Sequence, residues 1–169
     1  DDLWQEETIR PVVYEVDVMR AGENFASCGG VAIQVGRAIC NRQAGFHDHE
    51  SGRVQQDGAP LDGPAPGTLP NFEERMAPYK DKIGPMYDTP RPIDVRYVNG
   101  DPMSRGSQPT NGQKVWMRAN GSLPSDPTLH ACIVTYASDM TLLDPTLLPH
   151  GLNWFFFFQM ASFDLSLWF

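Results

Sequence analysis

The chain has 169 residues, of which 41% are hydrophobic, enough for one domain or two small ones with a buried core. Its formal net charge is −8, and Lys and Arg form no run. A nucleic-acid partner or an anionic membrane surface is therefore not expected. The three cysteines, Cys28, Cys40 and Cys132, have no CxxC spacing, which indicates reduced structural thiols in a cytoplasmic protein.

Residues 1–11, DDLWQEETIRP, lack the basic start and the apolar segment of a secretory signal. The first predicted element covers residues 11–20, where PVVYEVDVMR has a period of two that is typical of a half-buried β-strand. Its apolar face consists of Val12, Tyr14, Val16 and Val18, with Glu15 and Asp17 on the other side. Residues 25–35 and 37–46 flank Gly36 and predict a further antiparallel pair.

The chain changes character between residues 47 and 89, where many of its Pro and Gly residues occur and no long apolar period survives. We interpret this part as a connector with one short helix near residues 71–79. An HxH pair, His47 and His49, lies beside two acidic residues at its start. Such a pair can bind a metal, but no second ligand cluster supports it, so a solvated loop is favoured and no metal site is predicted.

Strands resume after the connector. The segment RPIDVRYV alternates again, and its apolar face is made of Ile93, Val95 and Tyr97. KVWMRA, residues 114–119, has the same pattern less regularly. We therefore expect a second antiparallel pair of strands.

A long helix is predicted after these strands. Asp126 provides a capping residue before Pro127 at the first helical position, and Asp144 with Pro145 ends the helix four to five turns later. On a period of 3.6 its core-facing side chains are Leu129, Ile133, Tyr136, Met140 and Leu143.

One carboxylate, Asp139, borders this apolar face, three residues after Tyr136 and four before Leu143. A carboxylate in that position is expected to be partly desolvated, which raises its pKa and makes it a better proton acceptor. The alternative is that Asp139 only accepts a hydrogen bond from a neighbouring backbone amide.

The last segment contains two apolar patterns. Residues 154–158, WFFFF, are too few to span a bilayer and predict a buried strand or a packed turn. Residues 159–169 alternate in the manner of a strand. The order of elements predicts an α+β fold in which a helix lies against an antiparallel sheet.

Five segments together resemble the type II acyl-CoA thioesterases. They are PVVYEVDVMRAGENFAS, VAIQVGRAI, KVWMRANGSLP, TYASDMTLLDPTLLPHG and MASFDLSLWF, in the family's order and approximate spacing. The resemblance implies a double hotdog, in which each of two fused folds wraps a curled antiparallel sheet around a central helix. It also implies hydrolysis of acyl-CoA to a free fatty acid and coenzyme A, a reaction of fatty-acid metabolism, without a cofactor.

The resemblance divides this chain into three parts. Residues 1–50 match the C-terminal strands of a first hotdog, residues 51–88 the connector, and residues 89–169 the N-terminal part of a second hotdog with its central helix. Parts of the family's sequence on both sides are not present. Unpaired strand edges and apolar surface are then expected to associate with other copies or other chains, most simply as a homo-oligomer.

The family's catalytic group comprises an Asp in the YASD segment, a hydroxyl before SLWF, and a Gln. By resemblance the first two match Asp139 and Ser162, whereas the Gln belongs to a strand beyond Phe169, so weak or no activity is expected of the chain alone. In the implied mechanism Asp139 and Ser162 activate a water that attacks the thioester, and amide donors stabilise the oxyanion. The predicted substrate-binding residues are Tyr136, Met140 and Leu143.

Alternatives remain open for the function and for the substrate contacts. A hotdog hydratase also uses a carboxylate on this helix, but R-specific hydratases carry a His five residues later, where this chain has Asp144. A non-catalytic hotdog assembly or acyl-CoA-binding module would account for the absent Gln. Arg91, Arg96 and Arg118 could meet the phosphates of coenzyme A, although alternating charges on a strand more often form a solvated face.

Overall fold

The computed structural model describes residues 10–48, 50–53, 55, 58, 62–103, 112–153, 162 and 164–169. The chain divides into two compact units, residues 1–58 and residues 59–169. The division falls inside the connector predicted from the sequence. Each unit is described by itself.

The first unit is an antiparallel sheet of three strands in the order β1-β2-β3. The strands are β1 (Val13–Ala21), β2 (Phe25–Gln34) and β3 (Arg37–His47), which confirms the three strands predicted from the sequence. Val35 and Gly36 connect β2 to β3 with positive φ angles of 51° and 72°. Two successive left-handed residues give a hairpin turn whose twist matches that of the paired strands.

The apolar face of β1 is exposed, so the prediction of a half-buried strand is wrong. The exposed fractions are 74% for Tyr14, 71% for Val16 and 59% for Val18. Alternation identifies the side of a strand that is suited to a core, but burial also requires a second layer on that side. In the described residues of the first unit only strands and turns are present, and no helix covers the face.

The second unit begins with a series of short helices. They are a 3-10 turn at Pro66–Thr68, α1 (Phe72–Met76), a 3-10 turn at Ala77–Tyr79, α2 (Lys80–Ile83) and a 3-10 turn at Gly84–Tyr87. The Asn71 side chain accepts from the Glu74 amide at 2.9 Å, and the Glu74 carboxylate accepts from the Asn71 amide at 2.8 Å. This capping box fixes the start of α1. The short helix predicted near residues 71–79 is present, and helical structure continues beyond it.

The long predicted helix ends before the apolar pattern from which it was predicted. Helix α3 spans Pro127–Ser138, residues 139–143 form turns, and α4 (Asp144–Leu147) follows, so the predicted length of four to five turns is wrong. The turns repeat backbone hydrogen bonds between residues three apart, such as Leu142 N to Asp139 O at 3.4 Å. Because such turns keep a nearly helical spacing of side chains, the apolar period continues past the true end of the helix.

Strands β4 (Ile93–Tyr97) and β5 (Val115–Ala119) form an antiparallel pair, as predicted. Ile93 and Val95 on their inner face pack against Ala137 of α3, and all three side chains are buried. The half-buried side chains around them are Tyr97, Val115, Met117, Ala119 and Ile133. This helix against an antiparallel sheet is the predicted α+β arrangement.

The strand predicted for residues 159–169 is not found in its described part, because residues 162 and 164–169 have no strand pairing. An alternating segment becomes a strand only where another strand is available for its backbone hydrogen bonds. Residues 154–158, with the aromatic run, lie outside the described residues. In the part of the chain that is described, no helix is long and apolar enough to cross a membrane.

Candidate functional site

Helix α3 begins at a cap that fixes the position of the residues after it. The Asp126 carboxylate accepts hydrogen bonds from the amides of Thr128 and Leu129, at 2.9 and 3.4 Å, and Pro127 occupies the first helical position. Both features confirm the start predicted from the sequence. Asp139 directly follows the last helical residue and keeps helical backbone angles, with φ −83° and ψ −16°.

The Asp139 carboxylate lies beside the second residue that the family resemblance singled out. Ser162 Oγ donates a hydrogen bond to Asp139 Oδ1 at 2.8 Å. The neighbouring hydroxyl of Ser138 donates instead to the Thr135 carbonyl at 2.8 Å, so it is occupied within the helix. The described residues thus give Asp139 a hydroxyl donor, rather than the backbone amide of the alternative interpretation.

The surroundings of Asp139 are more open than the apolar period predicted. Tyr136 and Met140, expected to face the core, are 59% and 36% exposed, and Asp139 itself is exposed. The expected partial desolvation of Asp139 is therefore wrong for this chain. The physical reason is that α3 meets the sheet along a narrow strip at Ala137 and Ile133, and two strands cannot cover a wider face. Leu143 is half-buried.

A second carboxylate, Asp144, lies in the core five residues after Asp139. Its side chain is only 2% exposed, and its Oδ2 accepts a hydrogen bond from the Tyr97 hydroxyl of β4 at 2.9 Å. Burial raises the pKa of Tyr97 well above its ordinary value of 10, and the nearby charge of Asp144 raises this pKa further. The phenol therefore stays protonated and remains a hydrogen-bond donor.

The Tyr97 ring is held from its other side by a cation. The guanidinium carbon of Arg75 lies 4.5 Å from the centre of the ring, and Arg75 Nη1 forms an ion pair with Asp101 Oδ1 at 3.0 Å. A guanidinium over an aromatic face is favourable by cation–π attraction. This cluster is not predicted from the sequence, in which Asp144 only marks the end of the helix. The available signal was a single carboxylate within the apolar segment LLDPTLL, where a charge needs a buried partner.

The three arginines considered for coenzyme A phosphates have different surroundings. Arg96 donates to the Asp94 carboxylate at 2.9 Å and to backbone carbonyls of the connector, so it has a structural role. The Arg118 side chain is 76% exposed, as the solvated-face interpretation expects. Arg91 stacks on the Phe72 ring, with its guanidinium carbon 3.4 Å from the ring centre.

Two grooves on the described part of the surface are lined by residues other than Asp139 and Ser162. One groove, of about 390 Å³, lies beside Arg91 and Asp94 in the second unit. The other, of about 340 Å³, lies on β1 and β2 of the first unit. Asp139 is exposed and Ser162 is half-buried.

The HxH segment shows no metal-binding arrangement in its described part. The His47 ring lies against the Phe25 ring at an angle of 42°, with 4.4 Å between ring centres, and His47 Nε2 is 3.8 Å from a Glu50 carboxylate oxygen. His49 lies outside the described residues. Among the residues that are described, no three His, Cys, Asp or Glu side chains are grouped closely enough to hold a metal ion.

Comparison with known sequences relates the chain to one family. Residues 91–169 match the family described as acyl-CoA thioesterase. Acyl-coenzyme A thioesterase 8 from Homo sapiens is 30% identical, and acyl-CoA thioesterase 2 from Haemophilus influenzae is 29% identical, each over 94% of this chain. The alignments cover 53% and 57% of these proteins. The chain therefore spans about half the length of the curated relatives it matches.

Solved structures support the fold. An acyl-CoA thioesterase II, TesB2, from Mycobacterium marinum is 31% identical with a TM-score of 0.59, over 82% of this chain and 48% of that one. A conserved protein of unknown function with a hotdog fold from Alicyclobacillus acidocaldarius gives the same TM-score at 18% identity, over 84% of this chain and 48% of that one. With its antiparallel sheets and helix α3, the chain has an α+β fold of the hotdog type, which confirms the predicted fold class.

Proposed function

We propose that this chain, whose residues 91–169 match the acyl-CoA thioesterase family, belongs to that family and hydrolyses acyl-CoA thioesters to a free fatty acid and coenzyme A. The observation that carries the proposal is the 2.8 Å hydrogen bond from Ser162 to Asp139. It joins the carboxylate and the hydroxyl that the family resemblance assigns to catalysis. The two residues are 23 positions apart, so the chain must bring together the end of α3 and its last segment to form the pair.

In the proposed mechanism Asp139 is the general base. Its carboxylate takes a proton from a water molecule, and the oxygen of that water attacks the thioester carbonyl carbon. The hydroxyl of Ser162 holds one carboxylate oxygen, which leaves the other oriented toward the water. The tetrahedral intermediate then collapses with cleavage of the carbon–sulfur bond, and the departing thiolate takes up the proton. Because a thiolate is a good leaving group, no covalent intermediate is required.

The surface around Asp139 supports an acyl substrate. Tyr136 is 59% exposed, Leu142 is 40% exposed and Met140 is 36% exposed, and all three lie within three residues of Asp139. Large apolar side chains grouped on a surface are typical of sites that bind an apolar partner. We assign the acyl chain to this surface and to the adjacent half-buried Leu143, so that the site comprises the predicted substrate-binding residues Tyr136, Met140 and Leu143.

We propose that the protein acts in the cytoplasm, in fatty-acid metabolism. We also propose that it forms a homo-oligomer. The exposed apolar face of β1, which includes Tyr14, Val16 and Val18, supports association between copies, because monomers rarely expose such a surface. Residues 1–50 and 89–169 are proposed as parts of two hotdogs that residues 51–88 connect.

The proposed function is tested by incubating the protein with acyl-CoA of graded chain lengths and following free thiol with a thiol-reactive dye. Thiol should appear, at the low rate expected of the chain alone, in proportion to protein concentration and with an equal amount of free fatty acid. Oxygen esters of the same acyl chains serve as a control, because an alkoxide leaves far less easily and should give little product. Saturable binding of acyl-CoA without thiol release would instead favour a non-catalytic acyl-CoA-binding module.

A further inference from the structure

Asp139 lies between two points at which the chain is fixed in the core. Two residues before it, Ala137 is buried against Ile93 and Val95. Five residues after it, Asp144 is buried and bonded to Tyr97. The exposed turn that contains Asp139 is therefore anchored on both sides to the same strand, β4.

Backbone hydrogen bonds connect the two anchors through the turn. The Met140 amide donates to the Ala137 carbonyl at 3.1 Å, and the Asp144 amide donates to the Thr141 carbonyl at 3.3 Å. Because these hydrogen bonds hold the short segment between the anchors, a shift of one anchor should displace Asp139 as well. Among the described residues the Asp139 side chain bonds to Ser162, and the two anchors hold the backbone on either side of it.

We infer that Tyr97 and Asp144 are positioning residues for the reaction. Their hydrogen bond holds the second end of the turn and so keeps the Asp139 carboxylate within reach of Ser162 and of the attacked thioester. This inference rests on the proposed function, since it names residues that serve the same site. Neither residue touches the reacting atoms.

The contacts of Tyr97 fit a rigid support. Its hydroxyl is protonated and donates to Asp144, and its ring is held by the Arg75 guanidinium, which Asp101 fixes in turn. The Arg75 side chain is 6% exposed and that of Asp101 is 19% exposed, so the cluster is shielded from water. The Tyr97 hydroxyl, Asp144 Oδ2 and Arg75 Nη1 are paired within this cluster, whereas the buried Arg75 Nε has no hydrogen-bond partner among the described residues.

The test is the variant Tyr97→Phe, compared with Tyr79→Phe as a matched control. Tyr79 is also half-buried and also donates a hydrogen bond, to the Met103 carbonyl at 3.0 Å, but it lies in the connector. We expect Tyr97→Phe to lower kcat about tenfold to a hundredfold with little change in KM, because small displacements of a catalytic group are costly. Tyr79→Phe should leave kcat unchanged.

Two further measurements separate positioning from general stability. In the background of Asp139→Asn, Tyr97→Phe should have no additional effect on the residual rate, because the residue acts through Asp139. The carbon-13 NMR chemical shift of the Asp139 carboxylate should change in Tyr97→Phe and stay at its wild-type value in Tyr79→Phe. Equal kcat and equal Asp139 signals in the two variants would overturn the inference.

The carboxylate signal also separates this inference from the proposed function. If the wild-type protein releases no thiol, the proposed function fails, but a shift of the Asp139 signal in Tyr97→Phe alone still supports the positioning role. If thiol is released and the signal does not respond, only the positioning role fails. Asp144→Asn, which keeps an oxygen that can accept from Tyr97, should retain more activity than Asp144→Ala.

Discussion

Ser162 Oγ donates a 2.8 Å hydrogen bond to Asp139 Oδ1, across 23 residues of sequence. Asp139 stands at the end of α3, where the cap at Asp126 and the packing of Ala137 determine its position. A hydroxyl that donates to one carboxylate oxygen fixes the orientation of the other. The pair is therefore suited to hold a water molecule in a defined direction, which is the first requirement of general-base catalysis.

Replacing Ser162 by Ala should lower kcat by about tenfold to a hundredfold with KM nearly unchanged, because the carboxylate loses the donor that orients it. Ser162→Thr keeps a hydroxyl and should retain most of the activity. Ser166→Ala, at an exposed serine of the same segment, is the control. Steady-state thiol release measures all three, and equal rates for Ser162→Ala and Ser166→Ala would contradict the assigned role.

Ile93 packs between the sheet and α3, and truncating its side chain should lower the free energy of unfolding. The side chain is 4% exposed and packs in the same cluster as Ala137, so Ile93→Ala should lower the free energy of unfolding by about 2 to 5 kcal/mol. Val134→Ala, on the face of α3 where the valine is 52% exposed, should change it little. Urea unfolding followed by circular dichroism compares them, and similar midpoints would show that α3 does not depend on this core.

Tyr97 makes the stability depend on pH in the alkaline range. Burial raises the pKa of Tyr97 above 10 in the folded protein, so the folded state holds this proton more tightly than the unfolded state. Its contribution is fully present below pH 10 and decreases as pH rises above 10, by up to about 1.4 kcal/mol per pH unit. Urea unfolding between pH 8 and 11 should show this slope in the wild type and in Tyr79→Phe.

In Tyr97→Phe the same slope should be reduced, because the group that gives rise to it is removed. An unchanged slope in this variant would mean that another group is responsible for the alkaline loss of stability.

The sequence contained enough to predict all five strands that the structure describes. β1, β4 and β5 were predicted from alternation, and β2 and β3 from the segments around Gly36. Alternation is a local property of the backbone, so it survives whether or not the face is covered. For the same reason alternation could not predict that the apolar face of β1 is exposed. Burial of that face requires a second layer of structure packed against it, which the strand's own sequence does not specify.

The candidate site was predictable in part. Asp139 is predicted from its place at the edge of the apolar face of the helix, and Ser162 only from the family resemblance. The end of α3 at Ser138 is not predicted, because the turns that follow keep the helical spacing of Met140 and Leu143. The bond between Tyr97 and Asp144 joins residues 47 positions apart. No local pattern encodes such a pairing, which depends on how α4 packs against β4.

The measurement that most directly tests the central claim is thiol release from acyl-CoA by the wild type and by Asp139→Asn. Asp81→Asn, at an exposed aspartate of α2, removes the same charge away from the site and is the control. We predict that Asp139→Asn lowers kcat at least about a hundredfold while acyl-CoA still binds, and that Asp81→Asn has wild-type activity. Wild-type turnover by Asp139→Asn would contradict the account.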